Sequence, residues 1–284
     1  MRKQFIKYAV PSALAMFVSS LYTIIDGIFV GQGVGDSALA AVNVIMPFTI
    51  MLFGIATMFA VGGGALVSKY LGEKNKESAV EVFRQVFKLL LMLSIGISLT
   101  CVVFASPLSR LLGATESIAG LAATYLRFYA MFCVPNLIGI ALNSFVRNDG
   151  RPTLAMISTI SGAVTNIILD YLFIFVFNLG IKGAAIATGL GQIVTVLILI
   201  PHFIFKRGAL SFGNVKLNRT IIREFSNIGF PSFFTVFPIS LILLSLLFKD
   251  LGIWSSYLLS ELITLVVMMA VSNISKATST ALSF

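Results

Sequence analysis

Three carboxylates stand inside long apolar runs of this sequence: Asp26 in SSLYTIIDGIFVGQGVGD, Asp170 in TNIILDYLF and Glu261 in SSYLLSELITL. An acid in hydrocarbon is costly, so each needs a cavity, a partner or a proton, and marks a functional site by default. Asn166 precedes Asp170 by one helical turn, which puts both on one face. Thr188 lies in the next apolar run, within GIKGAAIATGLGQ. Two carboxylates, a carboxamide oxygen and a hydroxyl are hard oxygen ligands of the kind that hold a proton or Na+. Asn43 is a weaker, auxiliary candidate, and Glu261 has no evident charged partner at its level. The glycine clusters Gly62 to Gly64 and Gly183 to Gly191 lack P-loop spacing and read as points of close helix approach. Without a Ser-His-Asp set, an HExxH motif or a dinucleotide fingerprint, the sequence does not read as an enzyme, and it calls for no cofactor beyond a coupling ion.

The elements that must position these residues are membrane helices. The chain has 284 residues, 58% of them hydrophobic and only 11% charged, whereas soluble domains carry about 25% charged residues. Apolar runs near 8–31, 38–68, 86–107, 119–145, 153–177, 183–205, 226–248 and 253–273 match the roughly 20 residues a helix needs to cross a bilayer. They are too long, and too apolar all round, for barrel strands. The expected fold is an all-α integral membrane protein, a polytopic bundle of about eight transmembrane helices. The basic, then apolar N-terminus could pass for a secretory signal, but its apolar run outlasts one and reads as a retained first span.

The formal charge of +9 does not point to nucleic acid, because the basic residues lie in alternate joints between runs. Arg2, Lys3 and Lys7, then Lys69 to Lys88, Arg147 and Arg151, Lys206 to Arg223, and Lys276 all fall on one side. Arg110, Lys182 and Lys249 fall on the other, and Arg127 lies within the fourth run. By the positive-inside rule the expected placement is a multi-pass protein of the plasma membrane with both termini cytoplasmic and its helices in contact with lipid. That topology sets depths. Asp26 lies roughly 8 Å from the outer end of its helix, Asp170 about 10 Å from its own, and Thr188 about 8 Å down the next, at 1.5 Å per residue. The four polar residues therefore converge in the outer half of the membrane. Cys101 and Cys133 sit in different runs without a metal-binding pattern, and the single histidine, His202, is expected at the cytoplasmic interface.

The polar joint following residue 205 separates six runs from the last two. FIKYAVPSALAM at the first run is partly echoed by FSNIGFPSFFTV at the seventh, with Pro11 and Pro231 in matching places. Such repeats are common in secondary transporters. The expected organisation is a six-helix lobe over 1–205, a basic cytoplasmic linker over 206–225 and a shortened second lobe of two helices over 226–284.

The span-one Pro11 with DGIFVG after it, the turn NSFVRNDGRPTLAM, the span-five NIILD and the span-six GIKGAAIATGLGQ together resemble the multidrug and toxic compound extrusion (MATE) family. The resemblance runs from residue 1 to about residue 235. It implies two six-helix lobes around a cleft that alternates between inward and outward openings, and antiport of organic, drug-like compounds against H+ or Na+. It also implies a cation site at Asp26, Asn166, Asp170 and Thr188, with Na+ as a candidate ion, and a bending role for Pro11. The chain departs from the family pattern in length. Val236 stands where many members carry a helix-seven glutamate, and the tail looks like the family's last two helices. Most of the second lobe is thus expected to be missing through an internal deletion. Two further readings follow: a transport-inactive truncated protein that needs a homo-oligomer or second chain to complete the lobe, and a lipid-linked saccharide flippase. Few basic residues lie within the runs, which disfavours the flippase.

Overall fold

A computed structural model describes residues 2–236, and all their regular structure is helical. In chain order come α1 (Arg2–Gly33), α2 (Asp36–Gly72), α3 (Lys76–Val103), the short α4 (Ala105–Leu111), α5 (Ala119–Met131) and α6 (Cys133–Asn148). Then follow α7 (Pro152–Tyr171), continued by a π-helical turn (Leu172–Val176), α8 (Ile181–Ile204) and α9 (Arg219–Val236). Among the described residues, five helices are long and apolar enough to cross a membrane, and α5 with α6 forms a sixth crossing bent by 53°. The protein is a multi-pass membrane protein, and the first six expected runs are its helices. Glu261, the eighth run and most of the seventh lie outside the described residues.

Three boundaries differ from expectation for physical reasons. The fourth run is two helices, broken at Phe132, whose ring lies so close to Gly189 of α8 that a Cβ there would overlap it. Helix α3 starts well before its apolar run, because Asn75 caps it by accepting a bond from the Ser78 amide at 3.1 Å. The segment after α8 becomes helical again at Arg219, inside the expected linker.

Helix α2 is the central post, packed against α3, α5, α6 and α9. Its Gly62 faces the Phe225 carbonyl and the Gly229 amide of α9, a separation that leaves no room for a side chain. Helices α7 and α8 form a close pair, and α1 lies along α7. The apolar core falls into two clusters. One, around Phe83, Phe145, Phe203 and Phe225, occupies the end with the α2–α3, α6–α7 and α8–α9 connections, here termed the basic end. The other, around Val30, Ile45, Leu126 and Ile174, occupies the opposite end.

At the basic end the turn between α6 and α7 explains the NDGRP motif. Gly150 takes the left-handed φ of 83°, which ends α6 without the strain a side chain would bring. Pro152 then starts α7, where its missing amide proton is not needed. Asp149 between them is a hub. Its carboxylate accepts from the Ala209 amide at 2.7 Å, the Leu210 amide at 3.3 Å and His202 Nε2 at 2.8 Å. His202, in the last turn of α8, is therefore buried and bonded.

These bonds seat the segment after α8 as a strap across the bundle. Arg84 donates from Nε to the Ser211 carbonyl at 3.0 Å and from Nη2 to the Phe212 carbonyl at 3.1 Å. Lys88 donates to the Val215 carbonyl at 3.0 Å, and the Asn218 amide donates to Gln85 Oε1 at 2.9 Å. Phe212 packs against Phe87 with ring centroids 4.8 Å apart, and Leu210 is fully buried. A stretch that composition marks as a solvated joint is thus bound along its length. Asp149→Ala removes the buried hub and is expected to cost about 2–5 kcal/mol, as the loss of one partner of a buried polar pair does. Unfolding titrations would measure this, and limited trypsin digestion should cut at Lys206, Arg207 and Lys216 far faster than in wild type.

Candidate functional site

Helix α1 carries Asp26 as one turn of an uninterrupted helix that passes through Pro11. Helix α7 carries Asn166 and Asp170 on its buried face, where they are 3% and 0% exposed. Helix α8 brings Thr188 alongside. The α7–α8 seam is close because Gly162 and Gly191 meet there: a Cβ on Gly191 would stand 2.7 Å from the Gly162 carbonyl oxygen. Across that seam Asn166 Nδ2 donates to Thr188 Oγ1 at 3.4 Å.

The Asp26 and Asp170 carboxyls face one another within hydrogen-bonding reach, and the Asn166 side chain stands beside Asp170. No Lys or Arg of the described residues bears on either carboxyl. Asp26 Oδ1, both Asp170 carboxyl oxygens and Asn166 Oδ1 are buried without a donor. Buried polar atoms are nearly always paired, so a group of orphaned acceptors calls for an explanation. These oxygens converge from two helices and lack only a positive partner. The four residues that depth calculation gathered from three separate runs are neighbours in space.

Beside the cluster opens a cavity of about 1070 Å³, just above the usual range of small-molecule sites. Its walls come from α1, α2, α5, α6, α7 and α8. Asn166 and Thr188 belong to both cavity wall and carboxylate cluster, whereas Asp26 and Asp170 stand behind that wall. Ser20 and Thr23, on the α1 side, bond their own helix carbonyls at 3.1 and 3.0 Å and so line the cavity without unmet polarity. Tyr129 accepts from Asn136 Nδ2 at 2.6 Å. At the basic end Asn143 and Arg147 complete the lining.

Asn43 is exposed on α2 and does not line the cavity. Pro11 is half-buried, away from the carboxylates along α1. Cys101 and Cys133 are buried free thiols on α3 and α6. Among the described residues no three His, Cys, Asp or Glu side chains gather into a metal site. Sequence reasoning missed Tyr22 and Tyr125, which stand near both carboxyls, and the Asn143–Arg147 pair. The helical spacing of Asn143 and Arg147 was the only signal for the pair.

The family model described as MatE matches residues 11–172. The multidrug export protein MepA of Staphylococcus saprophyticus is 29% identical over 234 residues, 81% of this chain and 52% of the relative. MepA of Staphylococcus aureus is 27% identical over 236 residues, with the same 81% and 52% coverage. The chain thus spans about half the length of the curated relatives it matches. Among solved structures, an outward-facing multidrug resistance MATE family transporter of the MOP superfamily is 27% identical with a TM-score of 0.78, covering 85% of this chain and 54% of that one. A MOP superfamily transporter from Pyrococcus furiosus, described as having a binding pocket of reversed polarity, is 26% identical with a TM-score of 0.80, covering 94% and 62%.

The α7–α8 seam sets the spacing of Asn166 and Thr188, which makes it testable. Gly191→Val drives a side chain into the Gly162 carbonyl and the Asn166 Cβ, and is expected to destabilise the lobe by about 1–3 kcal/mol, as overpacking does. The unfolding midpoint in detergent would register the loss.

Proposed function

The chain belongs to the MatE family, and from that premise we propose that it takes part in exporting small organic, drug-like molecules across the membrane in exchange for H+ or Na+. In this reading residues 1–205 are one lobe of the transporter and 206–225 the joint to the next. Asp26, Asn166, Asp170 and Thr188 hold the coupling ion, and the adjoining cavity holds the substrate.

A single observation carries the reading: the donorless oxygens of Asp26, Asn166 and Asp170, buried together with no basic side chain of the described residues among them. Two ionised carboxylates this close repel strongly in a medium of low dielectric. A proton bridging them, or Na+ held by their oxygens with the Asn166 carbonyl and the Thr188 hydroxyl, removes that repulsion. Occupancy then favours the arrangement in which α1 lies against α7. Loss of the ion favours any arrangement that separates them, so ion binding shifts the conformational population. Because Asn166 and Thr188 also face the cavity, ion release alters its wall. Export is driven when substrate and ion prefer different arrangements.

The test is flux in proteoliposomes under an imposed H+ or Na+ gradient. Substrate-stimulated cation exchange is expected in wild type and is expected to fall at least about tenfold in Asp26→Asn and in Asp170→Asn, the loss of a charge-assisted contact. Undiminished coupled flux in both variants would remove the cation assignment. Thermal stability in detergent should rise with added Na+ if Na+ is the ion, and stay flat in both variants.

A further inference from the structure

Arg147 is a cation in the cavity wall that the proposed export cycle leaves without a task. It is half-buried, and none of the described carboxylates pairs with it: the two ion pairs among them are Arg110–Glu116 and His202–Asp149. Its one hydrogen bond is from Nη2 to Asn143 Oδ1 at 2.6 Å. Nor is it needed to finish α6. The carbonyls at that helix end already accept from the backbone amides of Asp149, Gly150 and Arg151.

The neighbours of Arg147 are built to hold it in place. Asn143 is 8% exposed and its amide is committed on the far side. Nδ2 donates to the Ala155 carbonyl at 3.0 Å, Ser158 Oγ at 3.2 Å and Thr159 Oγ1 at 3.0 Å. That fixes Oδ1 toward the guanidinium, which keeps its other N–H groups for a further acceptor. A half-desolvated guanidinium with free donors is the usual receptor for a planar oxyanion.

We propose that the basic end of the cavity is an oxyanion subsite, in which Arg147, positioned by Asn143, takes the carboxylate of an organic molecule whose body fills the cavity. The other end is of opposite character. Thr159 beside Asn143 and Asn166 beside Asp170 lie two turns apart on α7, about 10 Å at 1.5 Å per residue. The cavity's lining thus carries a cation at one end, with two carboxyls behind its wall at the other, and it favours molecules with a carboxylate at one end and a cationic or neutral body at the other. The inference rests on the cavity being the substrate chamber, and is independent of which ion is coupled.

Rhodamine B and its ethyl ester share a cationic ring system, and only the first carries a free carboxylate. Their binding to the full chain would be measured by fluorescence anisotropy in phosphatidylcholine nanodiscs, which contain no anionic headgroup. Arg147→Gln is expected to weaken rhodamine B by about 10- to 100-fold, the loss of a charge-assisted hydrogen bond, and to change the ester less than about twofold. Should Arg147→Gln not fold, Arg147→Met, which keeps the apolar stem and leaves the Asn143 bonds to α7 in place, should give the same selective loss. Arg147→Lys, which keeps the charge and loses the planar fork, should fall between. Equal losses for both dyes, or rhodamine B binding unchanged in the folded variants, would overturn the proposal. Binding is read without any H+ or Na+ gradient and as the difference between the two dyes, so failure of the cation site and failure of this subsite are read separately.

Discussion

Two carboxylates held face to face without a donor are the constraint on which the arrangement turns. Helix α1 touches the rest of the bundle chiefly along α7, and the residues brought together there include the pair that repels when both are ionised. The seam on the other side of α7 is closed by glycine and cannot yield. The bundle therefore has one face of α7, toward α8, closed by glycines, and one face, toward α1, where two carboxyls meet. The cavity opens between these two faces and is bounded by both.

Further contacts hold the bundle together at its basic end. The phenylalanines around Phe83 pack with their rings in contact; Phe203 stacks on it at 4.8 Å and Phe145 meets it edge-on at 5.1 Å. Phe212 of the strap joins the same group. Asp149 adds the polar counterpart, with its oxygens satisfied by backbone amides and an imidazole. At that end His202 Nδ1 is the one buried side-chain atom of the described hub without a partner, whereas four orphaned oxygens gather in the carboxylate cluster further along.

The cluster was legible in the sequence because membrane topology turns residue number into depth. Asp26, Asp170, Asn166 and Thr188 are short-range features of regular helices, and a ruler of 1.5 Å per residue suffices to align them. The bend at Phe132 was not legible, since it arises from a ring of one helix meeting a glycine of another far along the chain. The docking of the strap was not legible for a related reason. Its polar composition is that of a solvated joint, yet its backbone carbonyls are the acceptors for Arg84 and Lys88, and composition says nothing of what a backbone binds. Arg147 was assigned to topology because basic residues at helix ends usually serve that purpose. What sets it apart is visible in three dimensions: no carboxylate of the described residues pairs with it.

The turn at Gly150 links two of these features through adjacent residues. Arg147 faces the cavity, and Asp149, two residues on, grips the strap, so both hang from the last turn of α6. A displacement of the strap would be felt at the cavity wall with almost no intervening chain to absorb it. The lobe thus has a lever arm of a few ångströms where a longer joint would have served as a cushion. Substitutions in this short stretch are bound to be pleiotropic: one that relaxes the strap also re-aims the guanidinium.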